Sequence, residues 1–341
     1  MNIVITGGAG FLGARLARTL LAQGPLSLAG GSPRAIERIT LVDRAQPPDD
    51  LLADARIVAV VGDLNDLLRP GPAGTPAVPA DTQLVFHLAA AVSGECEADF
   101  DLGMRSNLDA TRALLEACRA LKTGPTVVFA SSLAVFGKPP GQALPEVIED
   151  HSLPTPQSSY GVQKFIGEQL VADYARKGFV RGRNVRLMTV SVRPGRPNGA
   201  ASSFLSGMIR EPLAGVRAAC PVPADIPVAL SSPGRTIEGL ICAATVSDTD
   251  WGPLTAMNLP ALRTSVGAMA AALGRVAGAA ATDLLDWTPD PAIIRVVSTW
   301  PGSIAATRAR ALGLLPDTDF EAIIRAYIRE NPDAIRLRVQ P

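Results

Sequence analysis

The sequence carries no excess of charge of either sign. Its 341 residues include 32 basic and 32 acidic side chains, and charged residues make up only 19% of the chain. A protein that binds nucleic acid usually has clustered Lys and Arg side chains that neutralise phosphates, and this sequence has no such cluster. Hydrophobic residues make up 47% of the chain, more than a disordered protein contains. The composition therefore predicts a globular protein that does not bind nucleic acid.

Long apolar runs are also missing. Stretches without charge stop at about 15 residues and contain Gly, Pro or Ser, whereas a membrane-spanning helix needs ~20 apolar residues. No basic region precedes the first apolar run, Asn2–Thr6, so we expect no signal peptide. The sequence therefore predicts a protein with no membrane partner.

Histidine and cysteine are few. The chain has two histidines, His87 and His151, so few imidazole groups are available as the ligands of a metal enzyme or the base of a histidine-dependent hydrolase. The four cysteines are widely spaced and form no CxxC pair, which favours free thiols in a reducing cytoplasm over a disulfide framework or a zinc site. We therefore predict a cytoplasmic protein without a bound metal.

Short β-branched runs alternate with amphipathic helical patterns in the first half of the chain. Repeated strand, helix, strand units form a parallel sheet that is covered by helices on both faces. The predicted fold class is therefore α/β, with a doubly wound parallel sheet. The predicted strands are Asn2–Thr6, Ile39–Val42, Ile57–Val61, Leu84–Leu88, Thr126–Ala130 and Val185–Val192, and the clearest helices are Asn107–Leu121 and Ser159–Arg176.

Glycines are concentrated directly after the first predicted strand. Gly7, Gly10 and Gly13 stand where a tight turn, a close approach of the backbone to a pyrophosphate and close packing of helix on strand each require a small residue. The helix that follows presents free N–H groups and a positive dipole end to phosphates. We therefore predict a dinucleotide-binding loop, with backbone contacts from Gly7, Gly10, Phe11, Leu12 and Gly13.

An acidic residue, Asp43, ends the second predicted strand. A carboxylate there holds both ribose hydroxyls and repels a 2′-phosphate, which favours NAD over NADP and indicates a Rossmann-type sheet. The neighbouring Arg44 can receive that phosphate instead, so NADP stays an alternative. Further cofactor contacts are expected after the third and fourth strands, from Asp63, Leu64, Ala89 and Ala90.

The composition of the sequence changes after about Arg193. Pro, Gly and Ser clusters there separate shorter helices, and a late apolar run at about Ala256–Leu259 can return to the main sheet. We predict an NAD-binding Rossmann domain of residues 1–193 plus about 235–260, and a smaller, discontinuous substrate domain of residues 194–234 and 261–341.

A phenol and an ammonium group, from Tyr160 and Lys164, are spaced by four residues on one predicted helix face. Positive charge stabilises a phenolate, so such a phenol can act as a base near neutral pH. In isolation the pattern is equally compatible with an ordinary surface pair. Upstream, Ser131 and Ser132 follow the fifth strand at the carboxyl edge of the sheet, where ligands bind in open α/β sheets.

These motifs together resemble the extended short-chain dehydrogenases/reductases of the NAD-dependent epimerase/dehydratase type. The resemblance covers nearly the whole chain. The residues that carry the resemblance are, in chain order, Gly7, Gly10, Gly13, Asp43, Asp63, Asn107, Ser132, Tyr160 and Lys164.

The resemblance implies a role for each catalytic candidate. Tyr160 corresponds to the acid/base, and Lys164 to the residue that lowers the pKa of the phenol and binds the nicotinamide ribose. Ser132 corresponds to the serine that holds the reacting hydroxyl, with Ser131 as its rival. Asn107 corresponds to a helix asparagine that supports the site, although it can also be an ordinary helix residue. Cofactor contacts are expected from Asn107, Tyr160, Lys164 and Arg193.

Departures from the family pattern narrow the reaction. Dehydratases of this family carry Asp and Glu directly after the active-site hydroxyl residue, and this chain has Leu133 and Ala134 there. We therefore expect a dehydrogenase or an epimerase, and no dehydratase. The Arg193-Pro194-Gly195 and 232–239 segments resemble family members that oxidise the C2 hydroxyl of a four-carbon sugar acid with NAD. Expected substrate contacts are Ser93, Ser132, Tyr160, Asn198, Ser202, with Ser203 beside it, and Arg235.

Two alternatives stay open at this point. One is a nucleotide-sugar epimerase, which needs a larger cleft for a second nucleotide, and the other is a non-catalytic NAD(P)-sensing protein that binds a partner. The family resemblance further implies a homodimer that is formed through the helices Asn107–Leu121 and Ser159–Arg176. The small-molecule partner expected is an anionic sugar acid.

Overall fold

The computed structural model describes residues 1–69, 76–253 and 256–337. Its strands are short and come mostly from the β-branched runs of the sequence. In chain order they are β1 (Asn2–Thr6), β2 (Leu26–Ser27), β3 (Pro33–Arg34), β4 (Arg38–Asp43), β5 (Ile57–Val61), β6 (Leu84–His87), β7 (Thr126–Ser132), β8 (Arg181–Leu187), β9 (Thr189–Val190), β10 (Ala218–Ala219), β11 (Pro227–Ser231), β12 (Ala256–Asn258), β13 (Leu262–Ser265) and β14 (Leu285–Asp286).

Helices connect most of these strands. In chain order they are α1 (Phe11–Gln23), α2 (Asp49–Leu52), α3 (Leu64–Leu67), α4 (Ser93–Ala98), α5 (Phe100–Gly103), α6 (Ala110–Ala120), α7 (Ser159–Arg176), α8 (Phe204–Leu213), α9 (Pro233–Thr245), α10 (Asp248–Trp251), α11 (Val266–Ala277), α12 (Ala279–Thr282), α13 (Pro291–Val297), α14 (Thr307–Ala311) and α15 (Phe320–Glu330). A π-helical segment, Met104–Asp109, precedes α6, and 3-10 turns lie at Leu133–Val135 and Pro332–Ala334.

The central sheet has seven strands in the order β12-β8-β7-β6-β1-β4-β5. Strand β1 pairs in parallel with β4 on one side and with β6 on the other, and β4–β5 and β6–β7 are parallel as well. The chain therefore reverses its direction of winding at β1. In such sheets, ligands bind outside the carboxyl ends of the strands at this switch point. The predicted doubly wound parallel sheet is confirmed.

The chain divides into two compact units. The first contains residues 1–132, 162–186 and 237–257, and its apolar core joins the buried faces of β1, β7, α6 and α7 through residues such as Val4, Val127, Leu114 and Val171. The second contains residues 133–161, 187–236 and 258–341. The predicted domain division stays a prediction, and residues 70–75, 254–255 and 338–341 of its ranges lie outside the described residues.

The second unit has its own sheets and its own core. Strands β13, β11 and β9 form a three-stranded sheet, with β11 antiparallel to β13 and parallel to β9, and β10 pairs with β14. Its apolar core is formed by α8, α11 and α15, which contribute fully buried residues such as Met208, Leu273 and Ile324.

The predicted sixth strand, Val185–Val192, was misplaced. Strand β8 begins four residues earlier, at Arg181, and ends at Leu187, while β9 belongs to the small sheet of the second unit. The sequence pattern missed this strand because Arg183, Asn184 and Arg186 are polar, yet all three are buried in it and each has a tertiary partner. The late strand β12 lies next to β8 in the central sheet, as expected.

The predicted helix Asn107–Leu121 also differs in its first turn. Asn107 lies in the π-helical segment, and the regular helix α6 begins only at Ala110. Helix α7 has the predicted bounds. In the ranges that the structure describes, no helix is both long and apolar enough to cross a membrane.

Candidate active site

The glycine loop joins β1 to α1 at the switch point of the sheet. Its Gly7 has φ +71°, a conformation that favours glycine, and the Gly7 N–H donates to the carbonyl of Val42 at 2.8 Å. A Cβ at Gly7 would lie 2.8 Å from the backbone nitrogen of Ala89. A Cβ at Gly13 would lie 2.8 Å from the carbonyl carbon of Gly7, which leaves no room for any side chain. The loop is therefore a backbone cradle whose shape depends on glycine.

The N-terminus of α1 fits an anionic ligand. Gly10 is its N-cap residue, no described side chain caps the helix there, and its first turn has no acidic residue. Free N–H groups and the helix dipole at such an end attract phosphate. Phe11 and Leu12 begin the helix and are partly buried. The cradle and the helix end together suit the pyrophosphate of a dinucleotide.

The carboxylate of Asp43 lies at the carboxyl end of β4, next to the glycine loop. Its Oδ2 accepts a hydrogen bond from the Ala9 N–H at 3.0 Å, and its Oδ1 accepts one from the Ala45 N–H at 3.2 Å. Asp43 therefore fixes the loop as well as presenting a charge beside it. Arg44, the residue predicted as a possible phosphate ligand, is exposed.

The other predicted cofactor contacts also lie at the ends of strands. Asp63 caps the short helix α3, since its Oδ1 accepts a hydrogen bond from the Asn65 N–H at 2.9 Å. Leu64, the first residue of α3, is partly buried. After β6, Ala89 and Ala90 are partly buried as well, and the Ala89 N–H donates to the Thr6 hydroxyl at 3.2 Å.

Asn107 is buried and holds the segment that follows β6. Its Oδ1 accepts from the Ala91 N–H at 2.8 Å, while its Nδ2 donates to the Ala91 carbonyl at 3.2 Å and to Gln163 Oε1 on α7 at 2.8 Å. The same amide lies 3.3 Å from the Cys96 sulfur. These contacts make Asn107 a residue that positions its neighbours, and its predicted cofactor contact stays a prediction.

His87 completes this framework, a role that sequence reasoning missed. Its ring is buried at the end of β6, with Nδ1 2.7 Å from the Thr6 hydroxyl and Nε2 2.9 Å from the Thr111 hydroxyl. Thr111 in turn donates to the Asn107 carbonyl at 2.6 Å. Burial, helped by the charge of Lys164, lowers the pKa of His87 to about 3. The ring is therefore neutral at ordinary pH and structural in role.

Tyr160 and Lys164 lie one turn apart in α7. The Lys164 ammonium is buried, donates to the Ala130 carbonyl of β7 at 2.9 Å and lies 4.8 Å from the centre of the Phe129 ring. Burial lowers the pKa of Lys164 to about 8, although the charges of Cys96 and Glu168 act to raise it. Tyr160 is only partly buried, whereas Lys164 is enclosed.

The two serines at the end of β7 have different surroundings. Ser131 is fully buried and donates to Glu168 Oε1 at 2.5 Å, so its hydroxyl is used inside the protein. Ser132 is partly buried. This difference favours Ser132 over Ser131 for contact with a substrate. Leu133 and Ala134 follow and are both buried, so no carboxylate stands where a dehydratase carries its acid/base pair.

Arg193 lies near Tyr160 in the second unit. Burial and the nearby Arg210 lower the pKa of Arg193, while the phenol of Tyr160 raises it. The backbone around Arg193 is well fixed, since its N–H donates to the Ser206 hydroxyl at 3.0 Å and its carbonyl accepts from Arg210 at 2.8 Å. A positive charge is therefore held beside the predicted acid/base.

The predicted substrate residues are spread over several elements. Asn198 lies in an exposed turn, where its N–H donates to the Ser203 hydroxyl at 3.1 Å, and Ser202 is partly buried beside it. Arg235 lies in the first turn of α9, where its N–H donates to the Ser232 hydroxyl at 3.2 Å. Ser93 is buried at the start of α4. The substrate contacts of these residues stay predictions.

A Rossmann-type sheet, a glycine cradle and the Tyr160/Lys164 pair define a nicotinamide-dependent oxidoreductase of the short-chain type. The model of the NAD dependent epimerase/dehydratase family matches residues 3–226. The chain belongs to this family, and it uses a nicotinamide cofactor to act on a CH–OH group.

Named relatives match the chain over almost its full length. It is 52% identical over 332 residues to a D-erythronate dehydrogenase of Cupriavidus necator, which covers 97% of this chain and 98% of that protein. It is 41% identical over 332 residues to a D-erythronate dehydrogenase of Haemophilus influenzae, covering 96% and 99%. Among solved structures, a nucleoside-diphosphate-sugar epimerase from Agrobacterium tumefaciens is 39% identical, with a TM-score of 0.83 and coverage of 98% and 95%.

Proposed function

We propose that this enzyme is an NAD-dependent dehydrogenase that oxidises the C2 hydroxyl of D-erythronate to the 2-oxo acid. The two D-erythronate dehydrogenases that align with nearly the whole chain support this substrate. The observation that carries the chemistry is the buried Lys164 ammonium one helical turn from Tyr160. A proton-transfer group beside a fixed positive charge is what oxidation of an alcohol requires.

The residues of the chain handle the proton and hold the substrate. Ser132 binds the C2 hydroxyl of the acid, and Tyr160 takes the proton of that hydroxyl. Lys164, whose pKa is about 8, stays charged at neutral pH and favours the phenolate that is needed for this step. When bound, NAD supplies the acceptor for the hydride that leaves C2. The substrate thus loses one hydride, which carries both electrons, from C2, and one proton from the C2 hydroxyl, which passes to Tyr160.

NAD, and not NADP, is the cofactor that the glycine cradle and Asp43 fit. The negative charge of Asp43 lies next to the loop and would repel a 2′-phosphate, while its carboxylate oxygens suit the ribose hydroxyls. The exposed Arg44 is the feature on which NADP binding would depend. The pyrophosphate is held by the loop backbone and the N-terminus of α1.

The charge of Arg193 supports a sugar acid over a nucleotide sugar. In a 2-hydroxy acid the carboxylate is attached to the reacting carbon, so a cation beside the acid/base is suited to bind that carboxylate. The diphosphate of a nucleotide sugar is farther from its reacting hydroxyl. Arg235, Asn198 and Ser202 are the remaining candidates for contacts with the acid, and Arg193 was first predicted as a cofactor contact.

A nucleotide-sugar epimerase is the second candidate function. The Agrobacterium tumefaciens structure with this name, at 39% identity, is the observation that favours it. An epimerase re-reduces its own intermediate, so it would release no NADH. A sensor without catalysis is the third candidate, and it has no need of the buried Lys164 beside Tyr160.

One assay separates these functions. Purified protein with NAD and D-erythronate is expected to form NADH, which is followed by its absorbance. Tyr160→Phe should abolish turnover while NAD binding stays unchanged. Tyr174→Phe is the matched control, because Tyr174 lies on the same helix but hydrogen-bonds with Glu116, away from the proposed reaction. Absence of NADH with every four- to six-carbon sugar acid, together with epimerisation of a UDP-sugar, would contradict the proposal.

A cytoplasmic location and a homodimer are further parts of the proposal. The four cysteines are free in the structure, three of them buried, which suits a reducing compartment. The dimer would use α6 and α7, as the family resemblance implies, and gel filtration with light scattering would test it.

A further inference from the structure

A third polar side chain continues the line of Tyr160 and Lys164 along α7. Glu168 follows Lys164 by four residues, and the sequence Tyr-x-x-x-Lys-x-x-x-Glu therefore places the three residues in successive turns of one helix. Only 1% of Glu168 is exposed, so its carboxylate is removed from water. A buried charge is costly unless it is paired and hydrogen-bonded, so its partners determine why it is there.

The partners of Glu168 come from two neighbouring strands of the central sheet. On β8, Arg186 donates to both carboxylate oxygens, at 2.8 Å and 2.7 Å. On β7, the Ser131 hydroxyl donates to Oε1 at 2.5 Å. The Glu168 carbonyl also accepts a hydrogen bond from the Asn184 side chain at 3.0 Å. Both strands are thus attached to α7 through one residue.

The location of this hydrogen-bond network says more about its role than its contribution to the stability of the fold does. A buried ion pair contributes little net stability compared with apolar residues of the same volume, so stability alone does not explain it. Ser131 directly precedes Ser132, and Lys164 donates to Ala130 one residue earlier in the same strand. Glu168 therefore fixes the strand end that carries Ser132 against the helix that carries Lys164.

The charge of Glu168 also acts on Lys164. Burial lowers the pKa of Lys164, and the negative charges of Cys96 on α4 and Glu168 on α7 oppose this effect. Cys96 contributes little charge, because burial raises the pKa of its thiol to about 11. His87 on β6 also faces the lysine and is neutral. Glu168, held by two hydrogen bonds from Arg186, is therefore the carboxylate whose charge acts to raise the pKa of Lys164.

We propose that Glu168 is a positioning residue for the dehydrogenase reaction, which holds Ser132 and the Lys164 ammonium in place through Ser131, Arg186 and its own charge. This inference rests on the proposed function. Glu168 touches neither substrate nor cofactor in this proposal, so its removal should reduce the rate constant kcat and leave the binding of NAD nearly unchanged.

The first test is Glu168→Gln. It keeps the size of the side chain but removes the charge and places an amide N–H₂ against Arg186. We expect kcat to fall by about 10- to 100-fold, as small misplacements of catalytic groups do, with the Kd for NAD within about twofold of the parent value. The alkaline limb of the kcat profile should move to lower pH. Asp248→Asn is the matched control, since Asp248 also pairs with arginines of β8, Arg181 and Arg183, and should leave kcat unchanged.

A double variant distinguishes positioning from simple stabilisation. Glu168→Leu with Arg186→Met replaces the ion pair by apolar side chains and should restore the melting temperature lost in Glu168→Gln. If Glu168 positions Ser131 and Lys164, the double variant regains stability but not kcat. Recovery of both, or a kcat of Glu168→Gln within twofold of the parent, would overturn the proposal.

A titration independent of turnover keeps the test valid if D-erythronate is not the substrate. The chain has four lysines, Lys122, Lys138, Lys164 and Lys177, so ¹³C-lysine NMR gives few signals to assign. The buried Lys164 should titrate near pH 8 in the parent and at lower pH in Glu168→Gln. An unchanged titration refutes the role of Glu168, whereas failure of the parent to oxidise sugar acids refutes the proposed function.

Discussion

Gly13→Ala is the substitution whose effect the structure determines most directly. A Cβ at position 13 would lie 2.8 Å from both the carbonyl carbon of Gly7 and the Cα of Gly8, and closer still to the Gly7 oxygen. Real Cβ atoms essentially never come within 3.0 Å of such neighbours. Because all three atoms are backbone, no side chain can rotate away, and the loop itself must move.

The movement should reach the cofactor site. The Gly7 carbonyl accepts a hydrogen bond from the Gly10 N–H at 3.1 Å, so displacing it distorts the turn that precedes α1. Overpacking of this kind costs about 1–3 kcal/mol, while alanine returns up to about 1 kcal/mol in helix propensity. If this free-energy cost appears entirely as weaker NAD binding, the Kd for NAD rises by about 5- to 150-fold. The melting temperature should fall only slightly.

Isothermal titration of NAD into the purified variant measures this effect. Gly274→Ala in α11 is the control, because its Cβ would meet only the Thr282 methyl group at 3.2 Å and it gains the same helix propensity. NAD affinity within about twofold of the parent for Gly13→Ala would refute the reasoning that this loop binds the pyrophosphate through a glycine-dependent cradle.

Two further predictions concern charge. Asp43→Asn should weaken NAD binding by about tenfold or more, since hydrogen bonds to a charged acceptor contribute about 1.5–3 kcal/mol, and should shift preference toward NADP, measured as the ratio of the two Kd values. The pKa of His87 is lowered to about 3, so between about pH 6.5 and 3 the unfolded chain binds a proton that the folded chain does not. The free energy of unfolding should therefore fall as pH falls, by about 1.4 kcal/mol per pH unit. Thermal unfolding across this range should show a shallower acid slope for His87→Gln than for the parent, and an equal slope would contradict this prediction.

Residues that act through local backbone geometry were predictable from the sequence. The glycine loop, Asp43 at the end of a strand and the Tyr160/Lys164 spacing each depend on the few neighbouring residues that set a turn, a strand end or a helix face. The bounds of α7 were also correct, since its helical pattern is long and uninterrupted. Errors occurred where polar residues are buried, as in β8, whose arginines are typical of exposed segments until their partners are known.

The chemical features also divide into those that the sequence predicts and those that depend on tertiary contacts. Order along the chain is sufficient to identify the family, because the glycine loop, Asp43 and the Tyr160/Lys164 spacing are local features of the sequence. The hydrogen bond that uses the Ser131 hydroxyl, the lowered pKa of His87 and the partners of Glu168 depend on contacts between residues far apart in the sequence. The Ser131 hydroxyl is enclosed, and the charge of Glu168 acts on Lys164, only when β7, β8 and α7 pack together. The tertiary structure therefore decides both features.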